Sequence, residues 1–135
     1  MNTAVQSIDS VKWDIIVDFC EFDPAYREER NPNTEHPFKN HGKISELAGV
    51  YAIYDGGSTN GEVLYVGRSK FLNIRFNQYT HGKGTWWSKY ERDVTRNAFE
   101  NPYILTAAVL FCNPSEINRI ERAMIHELAP RYNVH

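Results

Sequence analysis

Residues 49–67, GVYAIYDGGSTNGEVLYVG, decide the fold. Two arms rich in aromatic and β-branched residues are joined by a glycine-rich tip, which is the pattern of a β-hairpin. If the arms pair symmetrically about Ser58, Tyr51 and Tyr65 lie directly opposite each other on one face of the hairpin. The register therefore predicts two neighbouring phenols.

Length and composition indicate one intracellular domain. The chain has 135 residues and is 41% hydrophobic, which suffices for one core without disulfide or metal staples. Cys20 and Cys112 lack metal-type spacing and are expected to be reduced. Residues 1–5 do not resemble a signal peptide, and no apolar run has membrane-spanning length. We therefore expect a soluble, cytoplasmic protein without a membrane partner.

The charge is unevenly distributed although the net charge is only −2. Residues 1–46 are acidic, whereas residues 65–96 carry seven basic side chains against two acidic ones and include Trp86 and Trp87. Such a mixture of basic and aromatic residues is typical of nucleic-acid binding. On charge alone, a solvated helix face is the better explanation of these basic residues.

The N-terminal third is the least defined part of the sequence. Apolar residues over 9–23 recur at helical spacing, which favours a helix, although strict alternation from Trp13 to Phe19 also allows a strand. Residues 24–42 are polar and rich in proline and asparagine, which predicts a long surface loop.

Five further segments follow the hairpin. We predict a helix from about Lys70, a flexible basic loop over 80–87, a helix over 88–99 and a buried strand over 103–111. Ser88 and Glu91 form a capping box for the third of these elements. A last helix follows Asn113, Pro114 and Glu116, which fit its N-terminus, and Pro130 limits it.

Two charged residues interrupt otherwise apolar helix faces. Arg75 lies within the apolar arc of the helix after the hairpin, and Glu121 lies in the middle of the apolar face of the last helix. A buried charge is costly unless it is paired. Arg75 could extend its stem along the core, and Glu121 could form a structural ion pair, for instance with Arg75. Arg75 could equally reach an anion or acceptor at the edge of the core, whereas for Glu121 the structural ion pair ranks ahead of a metal site.

In this order the residues resemble the GIY-YIG nuclease superfamily. Residues 49–51 resemble its first motif and residues 65–67 its second. Arg75 matches its helical arginine, Glu121 its helical glutamate and Asn133 its later asparagine. Arg68 occupies a position that is often basic, and Tyr79 stands where some members have histidine. The resemblance covers residues 47–135 and leaves residues 1–46 as an N-terminal extension of a helix and a loop.

The resemblance implies an α+β fold, with a small central antiparallel sheet of about three strands flanked by helices. It also implies a Mg²⁺-dependent endonuclease that cleaves DNA, with Mn²⁺ as a possible substitute. Glu121 would be the metal ligand, Arg75 the phosphate clamp, Tyr51 the general base and Tyr65 the group that orients the nucleophile. Asn133 would steady the metal site or complete the fold.

Further residues are expected to contact the substrate: Arg68, Lys70, His81, Lys83, Trp86, Trp87 and Lys89. A catalytically silent nucleic-acid-binding or interaction module on the same scaffold is the alternative, because the near-neutral net charge leaves few bases for phosphate contacts. A domain that reads a symmetric duplex sequence would act as a homodimer.

Overall fold

A computed structural model describes residues 12–20, 47–72, 74–75 and 85–133. The strands are β1 (Ile15–Cys20), β2 (Gly49–Asp55), β3 (Val63–Ser69) and β4 (Leu105–Phe111), and the helices are α1 (Thr85–Thr95) and α2 (Ile117–Leu128). The strands form one sheet in the order β1-β4-β2-β3, and all pairs are antiparallel. The predicted α+β class is confirmed, with four strands in place of about three.

The hairpin forms, but its register differs from the prediction by two residues. Tyr51 pairs with Gly67, and Tyr65 pairs with Ile53. The pairing then shifts, because Tyr54 pairs with Val63 and leaves an extra residue in β3. The prediction that Tyr51 lies directly opposite Tyr65 is therefore wrong. Because the shift is an even number of residues, both phenols still lie on one face of the sheet.

The helix predicted over residues 9–23 is wrong where the structure describes it. Residues 15–20 form β1, which pairs with β4 along the sheet. Ile15 and Val17 pack against the core whereas Ile16 between them is exposed. This alternation is that of an edge strand buried on one face. The loop predicted over 24–42 lies outside the described residues, and the division at residue 46 stays a prediction.

In the described part of the chain, each face of the sheet packs against one helix. Alternate residues of β2 point to opposite faces, so Tyr51 and Ile53 pack with α1 whereas Val50 and Ala52 pack with α2. The α1 side is built from aromatic rings, and its buried members include Trp86, Trp87, Tyr90, Phe99, Tyr103 and Tyr132. The α2 side has smaller residues, including Ala48, Val66, Ala108, Ile117 and Met124. The sheet is thus the middle of three layers.

Helix α1 begins three residues before the predicted start. Thr85 is its first residue, so Ser88 lies inside the helix and does not cap it. Burial of Trp86 and Trp87 against the sheet explains the earlier start, because the two indoles need a rigid backbone to pack there. The helix ends at Thr95, before the predicted Phe99, and Asn97 follows with a φ of 59°. A left-handed residue of this kind terminates a helix.

Helix α2 confirms the predicted last helix, apart from its N-terminal cap. Asn113 Oδ1 accepts a hydrogen bond from the Ser115 backbone N–H at 3.0 Å, which makes a turn before the helix. Glu116 occupies the N-cap position without a side-chain cap bond. Ala129 ends the helix with a φ of 46° just before Pro130.

The segment after α2 covers part of the outer edge of β3. Arg131 N–H donates to the Val63 carbonyl at 3.1 Å and Tyr132 N–H donates to the Leu64 carbonyl at 2.8 Å. The Tyr132 hydroxyl also donates to Asp93 of α1 at 2.7 Å. None of the helices in the described part of the chain has the length and apolarity needed to cross a membrane.

Candidate active site

The two hairpin tyrosines pack around Gly67. The Tyr51 and Tyr65 ring centroids are 6.2 Å apart and the rings are inclined by 48°. A Cβ on Gly67 would overlap the Tyr51 hydroxyl and would lie 2.7 Å from Tyr65 Cε2. A glycine at this position therefore lets the Tyr51 phenol lie directly against the β3 backbone.

The two phenols differ in their access to solvent. Tyr51 is only 1% exposed and belongs to the aromatic cluster under α1. Tyr65 is half-buried and stacks on Trp86, with ring centroids 5.6 Å apart. Because a general base must reach the water that it deprotonates, the exposure favours Tyr65 over Tyr51 for that role.

Glu121 forms an ion pair with Arg68. Arg68 Nε lies 3.1 Å from Glu121 Oε1, and the Glu121 side chain is 20% exposed. The prediction that Glu121 interrupts a packed helix face agrees with this burial, although its described ion-pair partner is Arg68 and not Arg75. Arg68 lies one residue after Gly67, so the ion pair and the phenols meet at the same end of β3.

Burial raises the pKa of Glu121 above that of an ordinary glutamate. The charges of Arg68 and Arg122, and the hydrogen bond from Arg68, act in the opposite direction and only partly offset the burial. A divalent cation at this carboxylate would favour the ionised form.

A cleft of about 480 Å³ lies beside this ion pair. Three basic side chains line it, Arg68, Lys70 and Arg75, together with Ser69, Pro114, Ser115, Ile117 and Asn118. The cleft combines guanidinium, ammonium, hydroxyl and amide donors on one concave surface. Such a surface fits a phosphate group.

Arg75 reaches this cleft for a different reason from the predicted one. The prediction placed Arg75 in the buried arc that contains Phe71, but Phe71 is 58% exposed and Arg75 is exposed as well. Among the described residues of this short helical turn, Leu72 is the one that is buried in the core. The apolar arc of the sequence therefore faces partly outward, and Arg75 faces the cleft.

Asn133 holds the β3 backbone. Its amide nitrogen donates to the Val66 carbonyl and its Oδ1 accepts from the Val66 N–H, both at 2.8 Å. Of the two roles predicted for Asn133, completion of the fold is the one that these bonds display. The bonds end one residue before Gly67 and so fix the strand beside the phenols.

The predicted substrate contacts divide into three groups. Trp86 and Trp87 are 1% and 2% exposed because both indoles pack in the core, and their role as substrate contacts stays a prediction. Arg68 and Lys70 line the cleft, and Lys89 is half-buried on α1. The predicted contacts His81 and Lys83 lie outside the described residues.

Sequence reasoning missed three polar lining residues, Ser69, Ser115 and Asn118. Asn118 lies three residues before Glu121, so the helical period already placed it next to the carboxylate. Ser115 lies in the turn before α2, and only the structure reveals that this turn approaches β3.

The phenols and Glu121 lie on opposite faces of the sheet. Tyr51 and Tyr65 are on the α1 side, whereas Arg68 pairs with α2 on the other side. Because β3 is an edge strand, the two faces meet around its edge. The segment after α2 covers this edge as far as Val66. A group placed at the Gly67 end of β3 can therefore be approached from both faces.

A divalent ion at this site would have one carboxylate ligand among the described residues, Glu121. Among the residues that the structure describes, no three His, Cys, Asp or Glu side chains are grouped as a metal site. Mg²⁺ commonly keeps several waters and binds through one or two carboxylates plus substrate phosphate. Glu121 with the neighbouring phosphate cleft fits that mode, and it does not fit an ion that needs a full protein cage.

This site combines a hairpin with two tyrosines, a helical carboxylate and an arginine-lined cleft. That combination is typical of the class of GIY-YIG nuclease domains. Comparison with known proteins gives the particular family. The model of the UvrC-like GIY-YIG domain matches residues 47–134. The chain therefore belongs to this family, and the resemblance noted in the sequence is confirmed.

The individual relatives share only part of their sequence with this chain. The UvrABC system protein C of Clostridium novyi (strain NT) is 34% identical over 96 residues, which is 67% of this chain. The chain spans only 13% of the length of that protein. Solved structures of the N-terminal GIY-YIG endonuclease domain of UvrC from Thermotoga maritima are 24% and 25% identical, with a TM-score of 0.47. Each of these matches covers 72% of this chain and 98% of the Thermotoga maritima chain. The two solved structures are point mutants bound to a catalytic divalent cation.

Proposed function

We propose that this domain is an endonuclease that hydrolyses phosphodiester bonds in DNA with the help of Mg²⁺, for which Mn²⁺ substitutes. The observation that carries the proposal is the Arg68–Glu121 ion pair beside a cleft lined by Lys70 and Arg75. One carboxylate and three cations thus adjoin each other on the scaffold of a nuclease family.

The cleft binds and orients the scissile phosphate. The planar guanidinium groups of Arg68 and Arg75 match the geometry of two phosphate oxygens, and Lys70 adds a compact charge. These cations neutralise the charge that gathers on the phosphoryl oxygens during attack. Release of Arg68 from Glu121 when substrate binds makes its guanidinium available to the phosphate.

The phenolate form of a tyrosine accepts the proton of the attacking water and becomes the neutral phenol. We assign this role to Tyr65, because it is half-buried and can meet water, whereas Tyr51 is enclosed. Tyr51 then holds the Tyr65 ring and the Gly67 backbone in position. This assignment exchanges the roles that the sequence suggested for the two tyrosines.

Glu121 would hold the divalent ion. When bound, such an ion supplies Lewis-acid stabilisation of the phosphate and of the leaving 3′ oxygen. Asn133 acts indirectly, by keeping Val66 and the following residues of β3 in place.

Cleavage assays test the proposal. Single-stranded, duplex, flapped and branched DNA are incubated with the protein and Mg²⁺, Mn²⁺ or EDTA. We expect metal-dependent cutting of at least one substrate, and a loss of about 10²-fold or more in Glu121→Gln and Tyr65→Phe. Glu127→Gln is the matched control, because Glu127 is an exposed carboxylate of the same helix. Equal cutting by wild type and Glu121→Gln contradicts the proposal.

One observation favours a catalytically silent nucleic-acid-binding module as the second candidate. The phenols and Glu121 occupy opposite faces of the sheet, so they meet only at the edge of β3. This candidate predicts DNA binding that requires the cleft cations, no cutting with either metal, and no effect of Glu121→Gln.

A further inference from the structure

The outer face of α2 carries a row of cationic and polar side chains. Arg119, Arg122 and His126 recur at i, i+3 and i+7, so they form one stripe along the helix. They line a second cleft of about 560 Å³. We call these three residues the α2 track.

The α2 track is continuous with the phosphate cleft of the candidate active site. Ser115 and Asn118 line both clefts, so they form the shared wall. Asn118 lies on the helix surface between Glu121 and the track. A DNA strand that leaves the first cleft past Asn118 therefore enters the second cleft while it stays on the protein surface.

The charge of the track suits a polyanion. Arg119 Nε donates to Glu116 Oε2 at 2.7 Å, so this carboxylate offsets part of the Arg119 charge. Arg122 and His126 are exposed, and the charge of Arg122 also acts on Glu121. Exposed guanidinium and imidazole groups in one row contact successive phosphates without reading bases.

We propose that the α2 track binds the phosphate backbone of the DNA on one side of the cleaved bond. This inference rests on the proposed function, which supplies DNA as the partner. It adds the path that the DNA strand takes over the protein. The scissile phosphate occupies the cleft of Arg68 and Arg75, and the flanking phosphates run over Asn118 to Arg122 and His126. The track thereby positions the strand across Glu121.

The salt dependence of DNA binding tests the track. Binding of fluorescein-labelled single-stranded and duplex oligonucleotides is measured in EDTA, so that metal-dependent cleavage does not interfere. In Arg122→Ala the slope of log K against log salt concentration should fall by about 1, the contribution of one phosphate contact. Arg122→Lys keeps the charge and should keep most of the slope.

Arg96→Ala is the matched control. Arg96 is an exposed arginine just after α1, on the other face of the sheet. Its removal changes the net charge by the same amount and should leave the slope unchanged. An unchanged slope in Arg122→Ala contradicts the track, and so does an equal fall in Arg96→Ala, which would report net charge only. Circular dichroism confirms that the variants fold.

Failure of the track and failure of the proposed function give different results. If wild type cuts DNA but Arg122→Ala keeps the full salt slope, the nuclease proposal stands and the track is wrong. If no DNA is cut but the slope falls in Arg122→Ala alone, the track stands as a binding surface and the nuclease proposal is wrong.

Discussion

Gly67→Ala tests the register that places Tyr51 against the β3 backbone. The added methyl would overlap the Tyr51 hydroxyl and ζ carbon and would lie 2.7 Å from Tyr65 Cε2. Neither ring can move away easily, because Tyr51 is enclosed and Tyr65 is stacked on Trp86. The rings or the strand must therefore shift.

The cost follows from two opposing effects. Overpacking of a core costs about 1–3 kcal/mol, and the enclosed rings place Gly67 near the upper limit. Loss of glycine freedom in the unfolded chain offsets about 0.4–1 kcal/mol. We expect a net loss of about 2 kcal/mol, which lowers the melting temperature by roughly 6–10 °C.

Urea unfolding of wild type, Gly67→Ala and Gly57→Ala measures this loss. Gly57 is the matched control, because nothing lies within 4 Å of a Cβ placed there. Gly57→Ala should therefore be neutral or slightly stabilising. Combining Gly67→Ala with Tyr51→Phe should recover part of the loss, since the closest contact is with the hydroxyl. If Gly67→Ala is as stable as Gly57→Ala, Tyr51 does not pack on Gly67 and the register is wrong.

Three further variants test other parts of the site. Glu121→Gln should be at least as stable as wild type at neutral pH. Its stability advantage should grow as pH rises through the raised pKa of Glu121, because ionising that buried carboxylate costs stability. Thermal melts from acid to neutral pH measure this advantage, and a difference that stays constant with pH contradicts the prediction. Asn133→Ala leaves the Val66 N–H and carbonyl without their two hydrogen bonds, so the free energy of unfolding in urea should fall by about 2 kcal/mol. The Val66 amide should also exchange its hydrogen faster, and unchanged protection of that amide would refute the prediction. Tyr132→Phe removes the hydrogen bond that lowers the pKa of Asp93. Wild type should be more stable than the variant above the ordinary Asp pKa of about 3.9, and this advantage should disappear as pH falls through the lowered pKa of Asp93. An advantage that persists in acid would count against the bond.

Local patterns predicted the hairpin and α2 well. The hairpin depends on neighbouring residues and a glycine-rich tip, and α2 depends on an amphipathic period that ends at Pro130. The register was wrong by two residues for two reasons: the tip pairs Asp55 with Glu62, one residue away from symmetry about Ser58, and the extra residue in β3 adds one more. Both phenols were nevertheless assigned to the correct face, since the error is two residues.

Contacts distant in sequence were harder to predict. Residues 15–20 satisfy both a helical and an alternating pattern, and pairing with β4, which begins at residue 105, decides for the strand. The partner of Glu121 was expected from the helix after the hairpin, but that turn buries Leu72 and exposes Phe71. The burial of the two tryptophans depends on tertiary packing that composition does not reveal.

The amide clamp of Asn133 on Val66 joins residues 67 positions apart. During synthesis β3 and its partner strand emerge from the ribosome well before Asn133 does. Throughout that interval the outer edge of β3 presents unpaired backbone groups, which are a template for strand addition by another chain. A nascent chain stalled before residue 131 would therefore be prone to aggregate through β3, and chaperone demand should end when the clamp closes.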